Sequence, residues 1–191
     1  MTTVDGAWHP GIGDPTPMGW ITVAGYALAA WFCWRAGRAQ WRTKPDSSRY
    51  FWWLLTLGLV ALGVNKQLDL QTWLTETGRQ LARAQGWYGQ RHAVQIGLIF
   101  AVTGVGIAGG VTMFRLAWPM SLGRSCAGVG LAFVLVFVLM RASSFHHVDV
   151  FLASTAFGLR WNWILELSGI GAVTAGAWLE WRSATLVRPD R

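Results

Sequence analysis

Charge is what this sequence has least of. Only 13% of its 191 residues are Asp, Glu, Lys or Arg, against about 25% in ordinary soluble domains. With 53% hydrophobic residues and a mean hydropathy of +0.34, that shortage argues against a soluble surface and predicts an integral membrane protein. Acid is scarcer still, with nine Asp and Glu against sixteen Lys and Arg. The excess is not read as a nucleic-acid footprint, and no nucleic-acid partner is expected. Membrane proteins collect Arg and Lys in the short segments that stay in the cytoplasm, which is where most of these residues fall. There are two cysteines, Cys33 and Cys126. They form no metal or redox motif, give no disulfide framework and offer no CxxCH for covalent haem, so both read as small apolar packing residues. The histidines have no compact HExxH spacing. The chain lacks an internal repeat and a low-complexity tract. Residues 1–17 lack the positive start and apolar core of a cleaved signal peptide and are expected to be a short translocated tail.

What is present is a set of long apolar runs edged by tryptophan. Fourteen Trp occur, many at the run ends (Trp20, Trp34, Trp52, Trp53, Trp118, Trp161, Trp178, Trp181), where an amphipathic ring suits the headgroup level. The expected fold class is an all-α integral membrane protein in a single membrane domain over residues 1–191. It would have five transmembrane helices at about 18–34, 50–69, 92–114, 125–145 and 161–181, of lengths that cross a bilayer. A basic loop from Arg35 to Arg49 joins the first two. The second run goes beyond Val64 into Asn65-Lys66-Gln67-Leu68-Asp69 with no Pro or Gly break. Apolar residues at Leu70, Trp73, Leu74, Leu81, Ala84 and Tyr88 keep helical spacing with one polar face, predicting an amphipathic interfacial helix over about 70–88. In the third run Gly106 and Gly110 form a GxxxG that favours close helix approach. Ten of the sixteen basic residues lie in the segment between runs one and two, the segment between three and four, and the C-terminal tail. The N-terminus is therefore expected outside and the C-terminus inside, in a multi-pass protein of the bacterial inner membrane.

That topology brings polar residues to one outer, periplasmic face. Runs two and four end there, three and five begin there. Asn65, Lys66 and Asp69 then share a level with Arg91, His92 and Gln95, with Arg141, Ser143, Ser144, His146, His147 and Asp149, and with Asn162 and Glu166. Ionisable groups at membrane depth are costly and mark functional or paired sites. Each also has a structural counterpart. Lys66 and Arg141 can snorkel to headgroups, His92 can anchor a span, and His146 or His147 can complement a helix C-terminus. Glu166 can make a buried ion pair with Arg141, Lys66 or Arg91 that fixes register.

Three functions fit such a face. The first is a metal-dependent hydrolase of a lipid or lipid-linked substrate. In it His92, His146, His147 and Asp149 bind a zinc whose water is the nucleophile, and Glu166, Asp69, Ser143 and Ser144 are catalytic. The second is haem or quinone binding through His92 and His146. The third is a non-enzymatic subunit of a larger respiratory or photosynthetic membrane complex, in which membrane lipids and other membrane subunits are the partners and the polar residues hold helices together.

Overall fold

Helix α1 starts from a capped turn. Thr16 precedes Pro17, whose fixed φ and missing N–H suit the first helical position. The Thr16 Oγ1 accepts from the Gly19 N–H at 3.1 Å, and the Asp14 carboxylate accepts from the Thr16 hydroxyl at 2.6 Å. The structure, a computed structural model, describes residues 12–43, 48–68, 77, 78, 80, 81, 83, 84, 104, 106, 108–142, 155, 156 and 159–186. Among these, four long helices stand out: α1 (Pro17–Thr43), α2 (Ser48–Leu68), α3 (Leu122–Ala142) and α4 (Trp161–Leu186). The protein is thus helical, as expected, with one small addition: β1 (Thr155–Ala156) pairs antiparallel with β2 (Leu159–Arg160) just before α4. Helix α1 does not stop at Arg35 in a basic loop. It continues to Thr43, because Arg, Ala and Gln between 35 and 43 are good helix formers and the one glycine there, Gly37, is held by contact. A Cβ on Gly37 would lie 3.3 Å from the Trp52 Cβ and 3.2 Å from the Trp53 indole nitrogen.

The packing order is α2–α1–α4–α3. Helices α1 and α4 run parallel, because Tyr26 meets Glu166 and Gln40 meets Glu180 with the same offset along both helices. Buried positions on α1 include Thr22, Tyr26, Ala29, Cys33, Ala36 and Gln40, in alternating steps of four and three; on α4 they include Glu166, Gly169, Val173, Gly176 and Glu180. This 3.5-residue average is the seam of left-handed helix pairing. Its layers are apolar and small in the middle (Ala29, Cys33, Ala36, Val173) and polar at both ends. Helix α2 fills the other side of α1 with Phe51, Trp52, Leu55 and Leu59, all at most 2% exposed.

Helices α3 and α4 are antiparallel and approach to backbone contact. A Cβ on Gly130 would stand 2.6 Å from the Val173 nitrogen, and one on Gly176 would stand 2.5 Å from the Gly123 carbonyl oxygen. The expected close contact at Gly106 and Gly110 is not observed: no described atom lies within 4 Å of a Cβ built at either. Residues 108–117 are helical, yet only Met113, Leu116 and Ala117 meet the core, while Val111 and Phe114 are exposed. Most of the third expected span, residues 92–103, lies outside the described residues, as does most of the 70–88 segment. The described positions between 77 and 84 are helical, and Leu81 is half exposed. Among the described residues one helix, Ser48–Leu68, is long and apolar enough to cross a membrane, and Leu122–Val138 is a shorter apolar stretch.

Candidate functional site

Helix α4 carries two buried carboxylates, Glu166 and Glu180, fourteen residues apart and so about 21 Å along its axis. Each is met by a side chain from α1 and by a cation from a third helix.

At the first, the Lys66 ammonium on α2 donates to Glu166 Oε2 at 2.6 Å and the Tyr26 hydroxyl donates to Oε1 at 3.1 Å. The Lys66 and Glu166 side chains are only 6% and 3% exposed. Lys66 therefore does not snorkel to headgroups; it turns inward, because an unpaired carboxylate on α4 leaves the larger desolvation cost. Of the three cations considered as partners for Glu166, Lys66 is the one found. Sequence reasoning missed Tyr26, whose only signal was its place one heptad before Cys33 on the α1 seam. Two more polar atoms of this end, Asn162 Oδ1 and Gln67 Oε1, are buried with no hydrogen-bond partner among the described residues. Asn162 sits one turn before Glu166, and Gln67 follows Lys66. The chain start crosses this end of α2, with the Gly13 N–H donating to the Gln67 carbonyl at 2.6 Å.

Glu166 is the one expected catalytic residue that the described structure includes. Asp69, His92, Ser143, Ser144, His146, His147 and Asp149 lie outside the described residues, as do Arg91 and Gln95. Among the described residues no three His, Cys, Asp or Glu side chains come together as metal ligands would. A cation placed at Glu166 would sit beside the Lys66 ammonium, which repels it.

The second carboxylate, Glu180, lies at the opposite end of the bundle. That end contains a connected polar network. Gln40 donates through Nε2 to Glu180 Oε1, and Ser121 donates to Glu180 Oε2. Ser48 donates to the Gln40 side-chain Oε1 at 2.8 Å. The Arg124 Nε lies 3.5 Å from Glu180 Oε1, and its Nη1 donates to the Ala117 carbonyl at 3.1 Å. Gln40, Ser48, Arg124 and Glu180 are all buried. Ser121 also caps α3, its Oγ accepting from the Arg124 N–H at 3.2 Å. The signal was present: Glu180 is Glu166 plus two heptads, as Gln40 is Tyr26 plus two. Ser121→Ala removes both the cap and a bond to a charged acceptor, and a loss of about 1–3 kcal/mol is expected. Thermal unfolding in detergent measures it; an unchanged melting temperature would contradict the network.

Comparison with known protein families, with characterised proteins and with solved structures yields no match. The functional reading therefore rests on the chain's own chemistry.

Proposed function

We propose that this chain is a non-enzymatic helical subunit of a bacterial inner-membrane assembly, crossing the membrane with five helices, its N-terminus outside and its C-terminus inside. The observation that carries this reading is an inversion of polarity. Four charged side chains of the helices, Lys66, Glu166, Arg124 and Glu180, face inward and are at most 8% exposed, while Arg38, Arg115 and Arg182 stay exposed. Large apolar side chains face outward: Leu57 is 66% exposed, Val129 61%, Val136 55% and Phe133 52%. In water this arrangement exposes far more apolar surface than a monomer tolerates; in lipid it has no such cost, and buried charges are paired, as membrane depth demands. The relative helix directions, α1 with α4 and both opposite to α3, are those the five-span topology requires.

The subunit reading is favoured over catalysis by the state of Glu166, whose two oxygens are engaged by Lys66 and Tyr26. It gains support from the helix at 108–117, whose glycines and exposed Val111 and Phe114 leave room for a partner helix. The chain, tagged at its C-terminus, is expected to stay in the membrane pellet after an alkaline wash. In mild detergent it is expected to elute in a fixed stoichiometric complex with no zinc and no Soret band. One zinc or one haem per chain would overturn the subunit reading in favour of the hydrolase or the haem protein, and release into aqueous buffer would overturn the membrane reading. Orientation has its own test. With Cys126 replaced, a cysteine placed near Gln85 should react with an impermeant thiol reagent in intact cells and one near Ser47 should not.

A further inference from the structure

The ends of α1 and α2 that meet near residue 45 carry more cation than acid. Arg35, Arg38, Arg42, Lys44 and Arg49 stand against Asp46 alone in that stretch. The described arginines here lie on aromatic rings: Arg35 at 4.1 Å from the Trp181 centroid, Arg49 at 4.2 Å from Trp41, Arg38 at 4.9 Å from Trp34. Trp34, Arg38 and Trp41 fall at i, i+4 and i+7 on one face of α1, and Trp53 closes the space from α2. Together they line a cavity of about 460 Å³, within the range of small-ligand pockets. Arg38 makes no ion pair with a described residue. The Arg49 guanidinium lies on the Trp41 ring, and its Nε is buried with no hydrogen-bond partner among the described residues.

We propose that this cavity binds the phosphate of an anionic phospholipid, with Arg38 holding the phosphate oxygens and the three indoles enclosing the head group. A guanidinium presents a planar fork matched to two phosphate oxygens, and Arg38 is left with that fork unused by any described acid. Indoles contribute apolar walls and N–H donors at the level where head groups lie. A choline head is disfavoured, because its cation would face Arg38. Free inorganic phosphate gains nothing from the ring faces. A path for an acyl chain is also present: Trp53, Leu57, Val60 and Val64 form one exposed stripe down α2, from 39% to 66% exposed, about 16 Å long. The inference rests on the membrane reading above.

The test uses the full chain in dodecyl maltoside and native mass spectrometry, with phosphatidylglycerol, phosphatidylcholine of the same acyl chains, and inorganic phosphate as probes. One phosphatidylglycerol retained per chain is expected, with phosphatidylcholine and inorganic phosphate each held at least roughly tenfold more weakly, the scale of one charge-assisted contact. Arg38→Gln should reduce retention of phosphatidylglycerol by a similar factor with an unchanged melting temperature. Trp41→Ala, at an exposed position, should weaken it without the loss of lipid-class preference. Equal retention of the two lipids, binding by Arg38→Gln equal to wild type, or inorganic phosphate displacing the lipid at matched concentration would each overturn the proposal. A chain that remains in the alkaline-washed membrane yet fails to discriminate sinks this site alone; a chain that leaves the membrane sinks the reading beneath it as well.

Discussion

Glu166→Leu is expected to lower stability by about 3–5 kcal/mol, the largest effect of any single side-chain truncation in the bundle. Removing one partner of a buried ion pair leaves the other charge unpaired, and the Lys66 side chain, only 6% exposed, has little water to turn to. The Tyr26 hydroxyl also loses its acceptor, at about 1 kcal/mol. The same reasoning predicts the opposite outcome when both charges go. Lys66→Met with Glu166→Leu fills similar volume with apolar atoms and is expected to stand near wild type or above it, so the two substitutions are strongly non-additive. Unfolding in detergent, followed by helical circular dichroism across the four members of the cycle, measures this directly. If Glu166→Leu alone falls within about 1 kcal/mol of wild type, the carboxylate is not a register key. If the double variant is as unstable as the single one, Glu166 has a role that the pairing with Lys66 does not account for.

The pair also marks how far the sequence could be read. The level shared by Lys66 and Glu166 follows from counting apolar runs and alternating their direction, so their meeting was open to inference from residue order alone. Which of three cations takes Glu166 was not, because that depends on which helices are neighbours, and α2 and α4 are brought together only by both packing on α1. The inner network was harder still. Ser48, Ser121 and Gln40 are common residues at helix ends, and nothing local distinguishes a capping serine from one that also holds a buried carboxylate. Only the two-heptad repeat from Glu166 to Glu180 pointed there. The glycines show a related limit: a GxxxG records that a close approach is permitted, whereas the approach made between α3 and α4 has glycines on both partners. Gly123 and Gly130 on α3 face Gly176 and Gly169 on α4, a match no single helix displays.

That match yields the second large effect. A Cβ on Gly130 would fall 2.6 Å from the Val173 nitrogen, 2.7 Å from the Gly169 oxygen and 2.9 Å from the Ala172 Cβ. Two of these are backbone atoms of a helix, which cannot rotate away as a side chain can, so Gly130→Ala must push α3 and α4 apart. A loss of about 1–3 kcal/mol is expected for the methyl, and more for Val or Leu. Gly128→Ala, two residues away on the same helix, is the control: no described atom lies within 4 Å of its Cβ, and alanine there should gain about 0.5–1 kcal/mol from helix propensity. The sign difference between two identical substitutions reports contact, since propensity alone would make both stabilising. The displacement has a further consequence at the Glu180 network. Ser121 and Arg124 reach Glu180 across this same α3–α4 contact, so separating the helices lengthens those bonds too. Ser121→Ala should therefore cost less in the Gly130→Ala background than in wild type. Full additivity would mean that the glycine contact and the Glu180 network hold α3 to α4 independently.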